Sequence, residues 1–323
     1  MKIQHLSFDK NEIQSLFDGI NVSADTLINY RAQEFSGHVK HVSISGVQEK
    51  LLAVVDNGNI RLSKEGEQST YIIKPTPSND ILQYKDEMVI NEYLTMQIAN
   101  RVYGIDTAKC ALIRLADNHP AFIVKRFDIY KTANAEIKKH YQEDLCTLLG
   151  KTAQTHGSDF KYQGSYLEIA KCIRETLPTW RFEMPKFVSL VIFNFLFSNG
   201  DAHLKNFSIL KHKDGTTRLS PAYDLLCTSL HINDSVFALS KGLGLTSYSE
   251  AYHRTFMPNY EDFYMFAMEC GLTKKQTEKT LLTYTAEKTE IASLVNASML
   301  TKKCKRMYLR AYQERLQCLL RKK

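Results

Sequence analysis

The chain is organised around one stretch, Phe193-Asn-Phe-Leu-Phe-Ser-Asn-Gly-Asp-Ala-His-Leu-Lys-Asn-Phe-Ser-Ile-Leu210. An apolar run ends at Gly200, and Asp201 is followed five residues later by Asn206. A β-like segment and a turn then lead to a second carboxylate, Asp224. In a phosphoryl-transfer site the first Asp deprotonates the acceptor hydroxyl, while the Asn and the second Asp hold magnesium beside the nucleotide phosphates. The pattern therefore predicts an ATP-dependent kinase.

A lone Asp and Asn at this spacing is a weak signal, because the same residues commonly form solvated turns and helix caps. Here the polar groups follow apolar runs, where a buried strand or helix would deliver them to a cleft. That position favours a catalytic site. His203 could then orient Asp201 or contact a phosphate, or it could be a structural histidine. Lys205 could neutralise the transferred charge or point to water.

The composition indicates a globular protein. With 323 residues, the chain is long enough for two lobes with separate cores. It contains no run of eighteen apolar residues, and its start, Met1-Lys-Ile-Gln-His-Leu6, is too polar for a secretory signal. The seven cysteines are scattered without a Cys-x-x-Cys pair, which argues against a zinc site or a disulfide framework. We therefore expect a cytoplasmic protein.

Much of the net charge of +7 lies near the C-terminus, among the lysines and arginines between Lys302 and Lys323. A surface for nucleic acid or for an acidic partner is one interpretation. The favoured one is a docked terminal helix with a basic exposed side, because apolar residues recur there at helical spacing. The predicted apolar face consists of Met307, Leu309, Tyr312, Leu316, Leu319 and Leu320.

The order of the predicted elements divides the chain into two lobes. Residues 1–40 are expected to be a short, mostly helical lead-in with apolar positions at Ile13, Leu16 and Phe17. Residues 41–130 are expected to form a β-rich nucleotide-binding lobe, and residues 131–323 a helical catalytic lobe. The predicted segments are a hairpin over 51–62, a strand over 69–74, a helix over 86–102, a hairpin over 110–127, and helices from 135 onward interrupted only by a hairpin over 207–219. The predicted class is α+β, with a two-lobed protein-kinase-like fold.

Two upstream segments supply what a nucleotide site needs. Lys74 closes a strand and is placed to meet nucleotide phosphates, with Glu92 on the next helix as its carboxylate partner and Glu87 as the competing candidate. Ser43-Ile-Ser-Gly-Val-Gln48 precedes the first hairpin, so backbone amides around Gly46 could approach phosphates. The hydroxyls of Ser43 and Ser45 would lie near a γ-phosphate and could themselves be acceptors.

Together these segments resemble the HipA family of bacterial serine/threonine kinases, which are toxins of toxin–antitoxin systems. The resemblance covers most of the chain from about Val42. The motifs that carry it are Ser43-Ile-Ser-Gly-Val-Gln-Glu-Lys50, Ile72-Ile-Lys-Pro75, Asn91-Glu-Tyr93, Val124-Lys-Arg-Phe-Asp128, Gln142-Glu-Asp144, Asp201-Ala-His-Leu-Lys-Asn-Phe-Ser208 and Pro221-Ala-Tyr-Asp224.

The resemblance implies a role for each matching residue. Asp201 would be the catalytic base, and Asn206 and Asp224 would bind Mg²⁺. Ser43 matches the autophosphorylated serine of the family, and Ser45 would be a second acceptor. The residues implied to contact ATP are Ser45, Gly46, Val47, Gln48, Glu49, Lys50, Lys74, Lys125, Phe127, His203, Asn206, Tyr223 and Asp224, with backbone contacts at Lys125 and Phe127.

Two departures from the family pattern refine this expectation. Lys125 stands where relatives often carry Glu, which is tolerable if the contact is made by the backbone. Only about forty residues precede the serine loop, so the chain resembles the short form, HipT, in which a separate small protein replaces an amino-terminal subdomain. That resemblance implies an aminoacyl-tRNA synthetase as substrate, and small HipS-like and DNA-binding HipB-like antitoxin proteins as partners.

Two other functions remain open from the sequence. Gly200-Asp-Ala-His-x-x-Asn206 also resembles the loop of phosphoinositide kinases, which would make the chain a lipid or small-molecule kinase. Alternatively, it could be a nucleotide-regulated protein whose basic C-terminal helix binds nucleic acid or an acidic partner.

Overall fold

The computed structural model describes residues 15–20, 22, 48–78, 81–115, 118–132, 134 and 136–321. The strands are β1 Leu51–Asp56, β2 Asn59–Leu62, β3 Tyr71–Pro75, β4 Cys110–Arg114, β5 Pro120–Lys125, β6 Ile129–Lys131, β7 Ile137–Lys139, β8 Tyr141–Asp144, β9 Ser208–Lys211 and β10 Thr217–Leu219. The helices are α1 Met88–Arg101, α2 Leu145–Leu148, α3 Ala153–His156, α4 Tyr166–Thr176, α5 Trp180–Leu196, α6 Glu250–Thr255, α7 Tyr260–Glu269, α8 Lys274–Thr285, α9 Thr289–Ala297 and α10 Lys302–Leu320.

The first strands form an antiparallel five-stranded sheet in the order β2-β1-β3-β5-β4. The predicted hairpin over 51–62 is confirmed as β1 and β2, which meet at Asn57 and Gly58. Both turn residues have positive φ, as the favoured two-residue hairpin turn requires. In the centre of the sheet, Lys74 of β3 lies opposite Phe122 of β5. The lysine is therefore held by a strand that is paired on both sides.

This sheet is covered on both faces, so its central strands are apolar at nearly every position. Leu112 and Phe122 belong to the main hydrophobic core, together with α1. Ala111 and Ile123 point the other way, into a smaller core that includes Leu16 and Phe17 of the lead-in. Ile13 of the predicted lead-in face, like most of residues 1–40, lies outside the described residues.

The predicted helix over 86–102 is confirmed. It consists of a 3₁₀ turn, Lys85–Glu87, that runs into α1, and nearly every residue of α1 is buried. The helix lies between the five-stranded sheet and the helices that follow later in the chain, because α1 contacts β4 and β5 on one side and α9 on the other. The helix therefore links the five-stranded sheet to the helical part of the core.

The expectation of helices from residue 135 onward is wrong for residues 136–144. β7 pairs with β6, and β8 joins β9 and β10 in a three-stranded sheet. These strands are short, β7 is exposed and β8 is mostly half-buried, so they carry no clear apolar alternation. In addition, β8 is defined by its partner β9, since Asp144 pairs with Ser208 far along the chain. The predicted hairpin over 207–219 is confirmed as β9 and β10.

The basic C-terminal segment is a docked helix, α10, as predicted. Its buried positions are Cys304, Tyr308, Tyr312, Cys318 and Leu319. The buried face of α10 differs from the predicted one, because Met307, Leu309 and Leu316 are only partly buried and Leu320 is 47% exposed. All seven cysteines are buried free thiols. Among the described helices, none combines the length and the apolar character needed to cross a bilayer.

Candidate active site

A narrow cleft lies between the five-stranded sheet and the segments that follow α5. The residues that line it are Gln48, Lys50, Lys74, Met88, Glu92, Asp201, Asn206, Asp224 and Leu226. The structure thus brings Lys74, Asp201, Asn206 and Asp224 to one place from three separate segments, since Asp201 and Asn206 are only five residues apart. Ser43, Ser45, Gly46 and Val47 of the predicted phosphate loop lie outside the described residues.

Lys74 is the central cation of the cleft. Its Nζ donates to Glu92 Oε1 at 2.5 Å and also forms a short ion pair with Asp224 Oδ1. Burial lowers the pKa of Lys74, but the two carboxylates outweigh burial and raise the pKa above its ordinary value. The structure also distinguishes between the two candidate carboxylate partners of Lys74. Glu87 instead accepts a hydrogen bond from the backbone N–H of Thr301 at 2.9 Å. Glu92 is the carboxylate that holds Lys74.

Asp224 faces Lys74 from the other side of the cleft. Burial opposes its ionisation, but Lys74 and Lys50 hold the pKa of its carboxyl well below the usual range. Lys50 Nζ lies 3.7 Å from Asp224 Oδ2, and Asn206 Nδ2 donates to the same oxygen at 3.2 Å. The backbone of Asp224 has a φ of 55°, a conformation uncommon outside glycine and concentrated at functional sites. The carboxylate is therefore ionised and fixed in position.

Asn206 and Asp224 offer oxygen donors suited to a magnesium ion. Asn206 ends the 3₁₀ turn Leu204–Asn206, and its Oδ1 accepts the backbone N–H of His203 at 3.0 Å. An amide oxygen has two lone pairs, so this bond leaves one for a metal. No group of three or more His, Cys, Asp or Glu side chains gathers to hold an ion in the described part of the chain. A magnesium ion here would thus depend on Asp224, Asn206 and oxygens of the nucleotide.

Asp201 is delivered to the cleft by the end of α5. Two residues beyond the end of the helix, Ser198 has a left-handed backbone conformation. Its N–H donates to Phe195 O, and the N–H of Asn199 donates to Asn194 O. This turn directs Gly200 and Asp201 out of the helix axis. Asp201 is only 9% exposed. The end of the apolar run thus places a carboxylate at the cleft, as the sequence pattern indicated.

Tyr162 was missed by sequence reasoning. It ends the 3₁₀ turn Phe160–Tyr162, and its hydroxyl donates to Asp201 Oδ1 at 2.6 Å. The tyrosine lies 39 residues before the aspartate, in a short turn that has no distinctive pattern. No local signal in the sequence could have identified it.

His203 is a buried, neutral imidazole. Burial and the charge of Lys161 lower its pKa to about 3. Its ring packs edge-on against the ring of Tyr162, with centroids 5.2 Å apart. It supports the tyrosine that contacts Asp201. Lys205, left open between two roles, lies with its ammonium over the ring of Phe160 at 5.0 Å.

Three of the predicted nucleotide contacts, Lys125, Phe127 and Tyr223, do not line the narrow cleft. Tyr223 packs against Phe127 with ring centroids 5.5 Å apart, and its hydroxyl lies 2.7 Å from Lys205 O and 2.7 Å from Ser208 Oγ. Lys125 forms an ion pair with Asp18, and its backbone N–H donates to Lys109 O at 2.8 Å. Of residues 48–50, Gln48 and Lys50 line the cleft, and Gln48 Nε2 donates to Pro75 O at 3.3 Å.

Comparison with known proteins places this chain in a family. The profile described as "HipA-like C-terminal domain" matches residues 42–292. Y4mE of Sinorhizobium fredii, named as a candidate kinase, is 32% identical over 192 residues, which cover 58% of this chain and 42% of that protein. A candidate kinase of Haemophilus influenzae is 27% identical over 290 residues, covering 85% of this chain and 81% of that one.

The Shewanella oneidensis toxin HipA, a serine/threonine-protein kinase, is 24% identical over 210 residues, covering 59% of this chain and 44% of the toxin. This chain thus spans less than half the length of Y4mE and of that toxin. A solved complex of Shewanella HipA with HipB and operator DNA superposes with a TM-score of 0.64 at 20% identity, covering 88% of this chain and 65% of the HipA chain. This likeness confirms the predicted two-lobed, kinase-like α+β fold.

Proposed function

The chain belongs to the family of HipA-like kinases, and from this premise we propose that it is an ATP-dependent serine/threonine protein kinase. One observation carries the proposal. Lys74 pairs with both Glu92 and Asp224, and the cleft that they form is also lined by Asp201 and Asn206. A phosphoryl-transfer site needs a cation for the phosphates, oxygen ligands for magnesium and a carboxylate for the acceptor. Residues of all three chemical kinds line this cleft, which supports the proposal.

In the proposed reaction, Asp201 accepts the proton of a serine or threonine hydroxyl as its oxygen attacks the γ-phosphorus of ATP. The bond between that phosphorus and the β–γ bridging oxygen breaks, and ADP leaves. Tyr162 holds Asp201 Oδ1 in a fixed orientation through its 2.6 Å hydrogen bond. The ammonium of Lys74 binds the nucleotide phosphates, and Glu92 keeps Lys74 at the cleft.

Magnesium fits the donor set of this site. Asp224 and Asn206 would hold it, and when bound it would neutralise charge on the nucleotide phosphates. Asp224 is suited to this role because Lys74 and Lys50 keep its carboxyl ionised by lowering its pKa. Asn206 is suited because its 3₁₀ turn fixes the amide beside that carboxylate.

Incubation of the purified chain with Mg²⁺ and ATP, followed by mass spectrometry, tests the proposal. We expect phosphate on wild-type protein and none on Asp201→Asn, which keeps the size of the side chain but cannot accept the proton. Asp224→Asn should also be inactive, whereas Asp214→Asn, which changes an exposed turn carboxylate, should not affect transfer. A wild-type protein that binds nucleotide but transfers no phosphate would overturn the proposal. Transfer to a lipid headgroup but not to protein would favour the alternative kinase class.

We further propose that the chain is the toxin kinase of a HipT-like system. The motif at Ser43-Ile-Ser-Gly-Val-Gln-Glu-Lys50 supports autophosphorylation at Ser43 and Ser45. The substrate would be an aminoacyl-tRNA synthetase in the cytoplasm, and the partners HipB-like and HipS-like antitoxins. The presence of HipB and operator DNA in the complex of the Shewanella relative supports a partner of the HipB kind.

Phosphoproteomic comparison of cells that express wild type and Asp201→Asn would test these details. We expect phosphate on Ser43, Ser45 or both in the chain itself, and a synthetase among the modified proteins. Phosphate on other residues of the chain, with no synthetase modified, would overturn them.

A further inference from the structure

A polar network lies behind the segment that presents Asp201, and the chemistry proposed above does not use it. It comprises Ser198, Gly200, Thr228, Asp234 and Arg315. Arg315 belongs to α10, which lies beyond the residues 42–292 that match the family profile. The network therefore connects the catalytic segment to a helix outside the region that defines the family.

Arg315 contacts the turn that follows α5. Its Nε donates to Ser198 Oγ at 3.2 Å, and its guanidinium lies over the ring of Phe195 at 5.2 Å. Nη1 lies 3.3 Å from Met257 Sδ. The side chain is half-buried, so its charge is shielded from water on several sides. A planar guanidinium held by ring and hydroxyl together is restricted in orientation.

Ser198 is in turn fixed by Thr228. The carbonyl of Ser198 accepts the Thr228 backbone N–H at 3.1 Å and lies 2.8 Å from Thr228 Oγ1. The same Thr228 oxygen accepts the N–H of Gly200 at 2.8 Å. Asp234 contacts the Thr228 hydroxyl and packs directly against Gly200. The residue immediately before Asp201 is therefore held through Thr228, and Thr228 is tied to the serine that Arg315 contacts.

We propose that Arg315 is a positioning residue, which sets the place of Asp201 by holding the turn at Ser198. The inference rests on the proposed kinase function, since it names what orients the base of that reaction. Ser198 has a φ of 51°, a conformation that a serine keeps only when its surroundings impose it. Loss of the Arg315 contact would allow this turn to relax, and a shift of about 1 Å at a reacting group can cost on the order of 100-fold in rate.

Kinetics of Arg315→Met and Ser198→Ala test the proposal. Met keeps the apolar contact with Phe195 but loses the donor, and Ala removes the acceptor. We expect each change to lower kcat on the order of ten-fold, with KM for ATP changed by less than about two-fold. The double variant should be no worse than the worse single one, because both remove the same contact. Arg310→Met is the matched control, since Arg310 is exposed on the same helix and pairs with Glu314 at 2.7 Å.

Amide hydrogen exchange at Gly200 and Asp201 gives a readout that does not depend on activity. We expect faster exchange there in Arg315→Met than in Arg310→Met, while the melting temperatures of the two remain close. If the wild type transfers no phosphate, the proposed function has failed. Hydrogen exchange alone then tests whether Arg315 positions the turn. Exchange and kinetics in Arg315→Met equal to those in Arg310→Met would overturn it, as would additive effects of the two single changes on kcat.

Discussion

Lys74 forms an ion pair with Asp224, which lies 150 positions later in the chain. The lysine comes from the centre of the five-stranded sheet, and the aspartate from the segment after β10. Since the Lys74 side chain is only 6% exposed, its charge is stabilised by carboxylates and not by water. The pair thus joins the two parts of the molecule at the cleft and keeps Asp224 ionised before any nucleotide binds.

Replacing Lys74 should destabilise the fold as well as weaken nucleotide binding. Lys74→Met leaves Glu92, whose side chain is 2% exposed, without its cation. Removing one partner of a buried pair typically costs about 3–5 kcal/mol. We expect a loss of this size in urea unfolding, and partial recovery in Lys74→Met/Glu92→Gln, where the stranded carboxylate is gone. Equal stability of the single and double variants would contradict the role given to Glu92.

Removing the hydroxyl of Tyr162 should slow phosphoryl transfer without abolishing it. Tyr162→Phe deletes the hydrogen bond to Asp201 Oδ1 but leaves the carboxylate in place. A hydrogen bond to a charged group contributes about 1.5–3 kcal/mol, so we expect kcat to fall by roughly 10- to 100-fold. Tyr141→Phe, which removes an exposed hydroxyl bonded to Glu143, is the control and should have unchanged kinetics. A Tyr162→Phe variant with the kcat of the wild type would contradict a role for the Tyr162 hydroxyl in phosphoryl transfer.

The sequence predicted best those site residues that belong to short, local patterns. The segments that carry Lys74 and Asp201 each combine an apolar run with polar residues at its end. Their side chains line the cleft together with those of Asn206 and Asp224. The choice between Glu87 and Glu92 could not be made in advance, because both lie near the start of one helical segment. Five residues correspond to about 140° around a helix, so only the packing of α1 decides which one faces the sheet.

What sequence reasoning missed depends on contacts between distant segments. Tyr162 reaches Asp201 from a short turn, and Arg315 reaches Ser198 from the last described helix. β8 is a strand because β9 lies beside it. In each case the partner is more than 35 residues away in the sequence, and neither the spacing of residues nor the composition indicates such a contact.

Gly200→Ala should impair both stability and transfer. A Cβ on Gly200 would collide with the Asp234 carboxylate and would lie 2.5 Å from the backbone carbonyl oxygen of Ser235. A backbone atom cannot move aside as a side chain can, so we expect a loss of about 1–3 kcal/mol in unfolding free energy, measured in urea, and a lower kcat. Gly104→Ala is the comparison variant, because its Cβ meets open space at a φ of 64°, so it adds backbone strain without a collision and should keep wild-type kcat. A Gly200→Ala variant as stable and active as wild type would contradict the close packing of Asp234.

Asp234 should make the stability of the fold depend on pH. The Thr228 hydroxyl has one proton, which can go either to the Ser198 carbonyl or to Asp234. If it goes to Ser198, Asp234 must be protonated to donate to Thr228. Burial raises the pKa of Asp234 from 3.8 to about 6, and the charge of Asp201 adds to this, whereas Thr228 and Arg315 oppose it.

Because the folded state raises this pKa, the protonated form is favoured on folding, and its stabilisation is complete below about pH 4 and lost as the pH rises to about 6. Asp234→Asn keeps a donor to Thr228 but does not titrate. We therefore expect the stability of wild type relative to Asp234→Asn to fall by about 1–2 kcal/mol between pH 4 and 6, less than the full shift would give because Asp234 is half-buried. Urea unfolding of both proteins across this range measures the difference. The contributions of the carboxylates that the two proteins share are equal and cancel. A difference that stays constant, or that rises with pH, would show that folding does not raise the pKa of Asp234.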